Sequence, residues 1–138
     1  MHSITVKIDQ IRPLDKFDEL SRGDLFARVT IAGETTTTPV KKQTSARGVT
    51  INTDWVIRRD VAPGAHPIKI ELIDKDLSED DIIDINRLDN RRVLEFTVDT
   101  QKCRVEGFAT TYRCKSRINR SGREKKAAEV FFTIDVKK

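Results

Sequence analysis

The sequence predicts an all-β chain, an eight-stranded antiparallel β-sandwich, and three observations carry that expectation. Apolar and polar residues alternate in segment after segment, as in Ile4-Thr5-Val6-Lys7-Ile8 and Ile68-Lys69-Ile70-Glu71-Leu72, which is the period of a strand with one buried face. The segments are short and are punctuated by turn residues such as Gly33 and Pro63-Gly64. Helical periodicity is absent apart from the prospect of a turn near Leu88 or Ala127. At 138 residues the chain can bury one two-layer core, so it reads as a single domain over 1–138 that looks like a module of a larger protein.

Each element follows from the same reading. The first strand begins at Ile4, and Pro13 closes or bulges it, because proline cannot donate to a ladder. A loop with four acidic residues, Asp15, Asp18, Glu19 and Asp24, comes next. Leu25, Ala27, Val29 and Ile31 then share one face of a second strand, with Phe26, Arg28 and Thr30 on the other. Thr35 to Lys42 reads as an edge strand, since threonine suits the pleat while Pro39, Lys41 and Lys42 discourage further pairing. Val49, Ile51, Thr53, Trp55 and Ile57 make the next strand, with Trp55 facing inward. After the central strand at 68–76, Leu94, Phe96 and Val98 form a short one, Cys103 to Cys114 a hairpin, and Val130, Phe132, Ile134 and Val136 the last.

The central strand is where chemistry enters. Its buried row Ile68, Ile70 and Leu72 continues into Asp74 and Asp76, and the chain then runs on through Ser78-Glu79-Asp80-Asp81-Ile82-Ile83-Asp84. Carboxylates crowded at a strand end repel unless a cation sits among them, and Ca²⁺ takes about six to eight oxygen ligands. The alternative is a solvated acidic loop. An EF-hand is excluded: counted from Asp74, the sixth position is Glu79 where glycine is needed and the twelfth is Ile85 where glutamate is needed.

Charge and composition exclude other classes. Lys plus Arg number 26 against 22 Asp plus Glu, a net +4 too mild to imply nucleic acid, and aromatics are not interleaved with the basic cluster at 113–126. No apolar run approaches the length of a membrane span, so no transmembrane segment is expected. The two histidines, His2 and His66, sit at the terminus and in a proline-rich turn; no nucleophile arrangement or phosphate-cradling loop is present, and the chain is read as no enzyme.

With these residues in view, the chain resembles a C2 domain. Asp24-Leu25-Phe26-Ala27-Arg28-Val29 is similar to the family's Asp-Pro-Tyr-x-Lys-Val, Asn52-Thr53-Asp54-Trp55 to its Asn-Pro-x-Trp, and Asp74-Lys75-Asp76 to its Asp-x-Asp. The likeness runs from Ile4 to Val136, with Leu25 where proline is usual and Asp81 one residue nearer to Asp76 than usual. The following segment from Asp80 to Asn86, a strand and two cysteines is similar to a divergent C2-like group of secreted or surface proteins. The resemblance implies a Greek-key sandwich binding Ca²⁺ through Asp24, Asp74 and Asp76, with Asp15 or Asp18 closing the first loop and Asp81 or Asp84 the third. It further implies association with anionic phospholipid membranes, the alternative being a secreted or cell-surface module for a protein or glycan partner in which Ca²⁺ is structural or absent.

Three smaller signals complete the reading. Lys41, Lys42 and Arg47 lie where some C2 domains carry a basic patch for phosphoinositide headgroups, although lysine on an edge strand also serves as edge protection. Phe17, inside the first acidic loop, is an aromatic that could enter a membrane interface or fold back onto the loop. Cys103 and Cys114 are symmetric about Phe108-Ala109, so a hairpin with its tip there sets them face to face. A disulfide is favoured over two reduced thiols and would imply an oxidising compartment, which leans to the secreted or cell-surface side, with a peripheral membrane location as the alternative.

Overall fold

The structure is a computed structural model that describes residues 1–14, 24–42, 50–75 and 80–138. Two antiparallel sheets pack face to face. The four-stranded sheet has the order β11 (Arg117–Ser121), β12 (Ala128–Lys137), β1 (His2–Pro13), β5 (Ile51–Val61). The other runs β10 (Tyr112–Arg113), β9 (Arg104–Glu106), β8 (Leu94–Asp99), β6 (Ala65–Lys75), β2 (Asp24–Ile31), β3 (Glu34–Thr37). Two further pieces join it: β4 (Lys41–Lys42) pairs with β2, and β7 (Asp80–Ile83) pairs with β6.

Among the described residues, twelve strands therefore stand where eight are predicted. The long alternating strands fall where expected. The additions are short pieces recruited by neighbours: the acidic segment folds back on β6 as β7, and the basic stretch after Cys114 supplies β11, whose Ile118 is buried against the core. Two to five polar residues carry too little alternation to declare themselves.

Alternation places the core between the sheets. Ile4, Val6 and Ile8 of β1 face inward together with Trp55 and Ile57 of β5 and Val130, Phe132 and Ile134 of β12. They meet Ala27, Val29, Ile68, Ile70, Leu94 and Phe96 from the second sheet. The period slips once. Between Ile8 and Gln10 the register shifts on both sides of β1, Asp54 of β5 takes a left-handed φ of 47°, and the Thr53 hydroxyl donates to the Ile8 carbonyl at 2.8 Å. This bulge turns Ile11 back into the core, where strict alternation would send it to solvent.

The hairpin at 103–114 is closed as the cysteine symmetry predicts. Arg104 pairs with Arg113 and Val105 with Tyr112, and Cys103 and Cys114 are disulfide-bonded with Cα atoms 5.3 Å apart. Its tip is fixed to the core by rings: Phe108 lies 5.1 Å from Phe96, which lies 5.6 Å from Phe132 of the opposite sheet. The turn leading into it is held by Asp99, which accepts N–H bonds from Lys102 and Gln101. Those N–H groups, Lys102 foremost, lower the Asp99 carboxyl below the ordinary range.

Candidate functional site

The described strand ends that border the two acidic segments lie together at one end of the sandwich, and strand direction is the reason. In the antiparallel pair of β2 and β6, Asp24, where β2 begins, stands opposite Lys75, where β6 ends. The first residue of β2 and the last residue of β6 are therefore neighbours. Pro13, at the end of β1, pairs with Ala128, and the Leu14 N–H donates to the Ala127 carbonyl at 2.9 Å, which brings the start of the first loop beside the chain entering β12.

At this end the carboxylates have different surroundings. Asp74 is fully buried, as the inward row of β6 requires, and its register partners are Leu25 on one side and Asp81 on the other. Cross-strand partners point to the same face, so Asp81 is the third-loop aspartate directly opposite Asp74, while Asp80 stands opposite Lys75. Asp81 forms an ion pair with the ammonium of Lys126. Asp24 has Lys75 and Lys42 as its register partners, and alternation sends its side chain to the face of Phe26 and Arg28, away from that of Asp74.

Asp84 has another role. It is fully buried; its Oδ1 accepts the Asn86 N–H at 3.1 Å, and its Oδ2 accepts those of Arg123 and Glu124 at 3.0 and 2.9 Å. Its own N–H and carbonyl are bonded to Lys126 and Ala128. Gly122 packs so closely that a Cβ there would overlap the Asp84 carbonyl oxygen. Asp84 thus fastens the 122–128 turn to β7. An aspartate expected among the metal ligands serves instead as a backbone anchor.

The acidic segments 15–24 and 74–84 offer carboxylates and neither imidazole nor thiolate, a donor set that suits a hard cation. Among the described residues, however, no three His, Cys, Asp or Glu side chains gather as a metal cluster. Asp74 and Asp81 are the pair brought together; further oxygens would have to come from Asp15, Asp18 and Asp76, which lie outside the described residues. Phe17 and Arg47 lie outside them too. Lys41 and Lys42 form β4 against the start of β2, so this part of the anticipated basic patch borders the acidic end.

The histidines have structural contacts. The His2 Nδ1 is 2.8 Å from the Thr100 hydroxyl, and the His66 Nε2 is bonded to the Ala62 carbonyl. No described helix is long and apolar enough to cross a membrane.

No protein-family model and no curated protein matches the sequence. Solved structures do. A structure titled as that of a C2 domain matches over 100% of both chains with a TM-score of 0.64 at 11% identity. The fold is that of a C2 domain. A C2 domain of plant extended synaptotagmin 1 matches this C2-like sandwich over 98% of the chain and 93% of its own, with a TM-score of 0.61 at 12% identity. The calcium-bound tandem C2 domains of extended synaptotagmin 2 match over 97% of this chain and 45% of theirs, with a TM-score of 0.61 at 12% identity.

Proposed function

We propose that the chain is a non-catalytic Ca²⁺-binding module that associates with anionic phospholipid membranes through the loop end of the sandwich. What supports this reading is the register of β2 and β7 against β6, which sets Asp24 beside Lys75 and the buried Asp74 opposite Asp81. Asp74 and Asp76 would hold the ion together with Asp15 or Asp18, with Asp24 at the mouth of the first loop. Asp84 is left out of the ligand set, because both of its oxygens hold backbone N–H groups. Held there, Ca²⁺ would supply positive charge at this end and so attraction for phosphate headgroups. Lys41 and Lys42 beside it, with Arg47 and Phe17, would add attraction for the headgroup layer.

The test is co-sedimentation with phosphatidylserine vesicles. Pelleting that requires Ca²⁺, is abolished by a chelator and is lost in Asp74→Asn supports the reading; pelleting indifferent to both overturns it. A second reading, a secreted or cell-surface module for a protein or glycan partner with Ca²⁺ structural or absent, is favoured by the ion pair of Asp81 with Lys126, an ammonium already next to the acidic pair. The Cys103–Cys114 bond, which needs an oxidising compartment to persist, agrees with it.

A further inference from the structure

Away from the carboxylates, two cavities of about 430 Å³ each adjoin between β11 and the turn that follows β7, and they share Arg87 and Arg120. The first is lined by Arg87, Asn119, Arg120, Ser121, Gly122 and Arg123, so three guanidiniums, an amide and a hydroxyl surround it with no carboxylate among the lining groups. The second is mainly apolar, walled by Leu88, Leu94, Phe108 and Ala109, with Glu95 at its side.

Arg120 is held rigidly. Its guanidinium lies 4.4 Å from the centroid of the Phe108 ring and 5.3 Å from that of Tyr112, and it donates to the Tyr112 hydroxyl at 2.9 Å and the Asn119 carbonyl at 3.0 Å. A guanidinium has five N–H donors, so donors remain after those two bonds. Among the described residues neither Arg87 nor Arg120 has a carboxylate partner; Arg123 has the exposed Asp89 at 3.1 Å. Arg123 and Gly122 are themselves positioned through Asp84, whose oxygen accepts the Arg123 N–H and whose backbone sits against Gly122. The Asp84 anchor therefore also builds this cleft.

We infer that the cleft formed by Arg87, Arg120 and Arg123 binds a phosphate monoester, with the adjoining apolar cavity accepting the hydrophobic part of the molecule that carries it. Planar guanidinium forks match phosphate oxygens two at a time. Three of them hold more positive charge than a carboxylate can offset, whereas a phosphate monoester carries about 1.5 to 2 negative charges near neutrality. The site uses none of the loop carboxylates and needs no metal, so it stands or falls separately from the Ca²⁺ reading.

The test is titration calorimetry in EDTA at fixed ionic strength, on the whole chain, with a soluble short-chain phosphatidic acid and with inorganic phosphate. Both are expected to bind, and the double variant Arg87→Gln/Arg123→Gln, which removes two exposed side chains, should weaken binding roughly tenfold or more with an unchanged melting temperature. Arg120→Lys, which keeps the charge but loses the fork, should weaken it as well. Tighter binding of the lipid than of phosphate assigns the site to a membrane headgroup; equal binding assigns it to a free phosphate and overturns the part given to the apolar cavity. Absence of binding by either, or affinity unchanged in a folded double variant, overturns the proposal.

Discussion

A buried carboxylate invites two explanations, a metal or the backbone, and Asp84 illustrates how they are told apart. Its three N–H bonds come from Asn86, Arg123 and Glu124, two of them 39 and 40 residues away in sequence. Each bond to a charged acceptor contributes on the order of 1.5–3 kcal/mol, and donors left buried without an acceptor cost more. Asp84→Ala is therefore expected to lower unfolding free energy by roughly 3 kcal/mol or more, measured by urea denaturation. A stability change below about 1 kcal/mol would show that the 122–128 turn holds itself without this anchor. Nothing in the sequence distinguishes Asp84 from Asp81, because what separates them is the return of a distant turn. Asp74 is the contrary case: its place in the row of Ile68, Ile70 and Leu72 is legible from alternation alone, and it is buried as that row demands.

The long strands could be read from the sequence because ten or so alternating residues state their period many times over. Bulges interrupt that statement, and the shift of β1 at Asp9 is invisible until the partners are known. The short strands β7 and β11 were closed to such reading for a related reason. Each is defined by what it pairs with, β6 and β12, and β11 lies in a basic stretch that reads equally well as a solvated loop. The hairpin of β9 and β10 is an exception among short elements, since two cysteines spaced evenly about Phe108-Ala109 mark its register. With only two and three residues in its strands, this hairpin depends on its bond and its rings. The cross-link spans 11 residues, and closing a loop of that length removes unfolded-state entropy equivalent to roughly 3 kcal/mol. Cys103→Ala/Cys114→Ala should lose about that much in guanidinium unfolding. Because Phe108 and Tyr112 also cradle Arg120, the variant should weaken phosphate binding in the arginine cleft too; unchanged stability would mean that ring packing alone fixes the hairpin.

At the scale of the whole molecule, charge is segregated. Of the described acidic residues, Asp74 and Asp81 stand opposite one another where β6 ends, and arginines collect on the flank formed by β11 and the turn at 87–92. The antiparallel pairing of β2 with β6 sets Asp24 beside Lys75, and the acidic character of the segments flanking these strands was legible in the sequence. The neutralising presence of Lys126 beside Asp81 was not, because the two are 45 residues apart and meet only through the Asp84 turn. Lys126 supplies one positive charge against Asp81, with Asp74 buried opposite, so with the proposed ligand set a divalent ion would still relieve repulsion there. A ligand present at about 100 times its dissociation constant stabilises the native state by about 2.7 kcal/mol, which for a domain of this size raises the melting temperature by roughly 5–10 °C. Ca²⁺ alone, without lipid, is expected to raise the transition by that amount, followed through the fluorescence of the buried Trp55. The rise should vanish in Asp74→Asn and persist in Arg87→Gln/Arg123→Gln. A wild-type transition indifferent to saturating Ca²⁺ would remove the metal from the tip and leave Lys126 as its cation, with the arginine flank as the surface through which this sandwich meets an anionic partner.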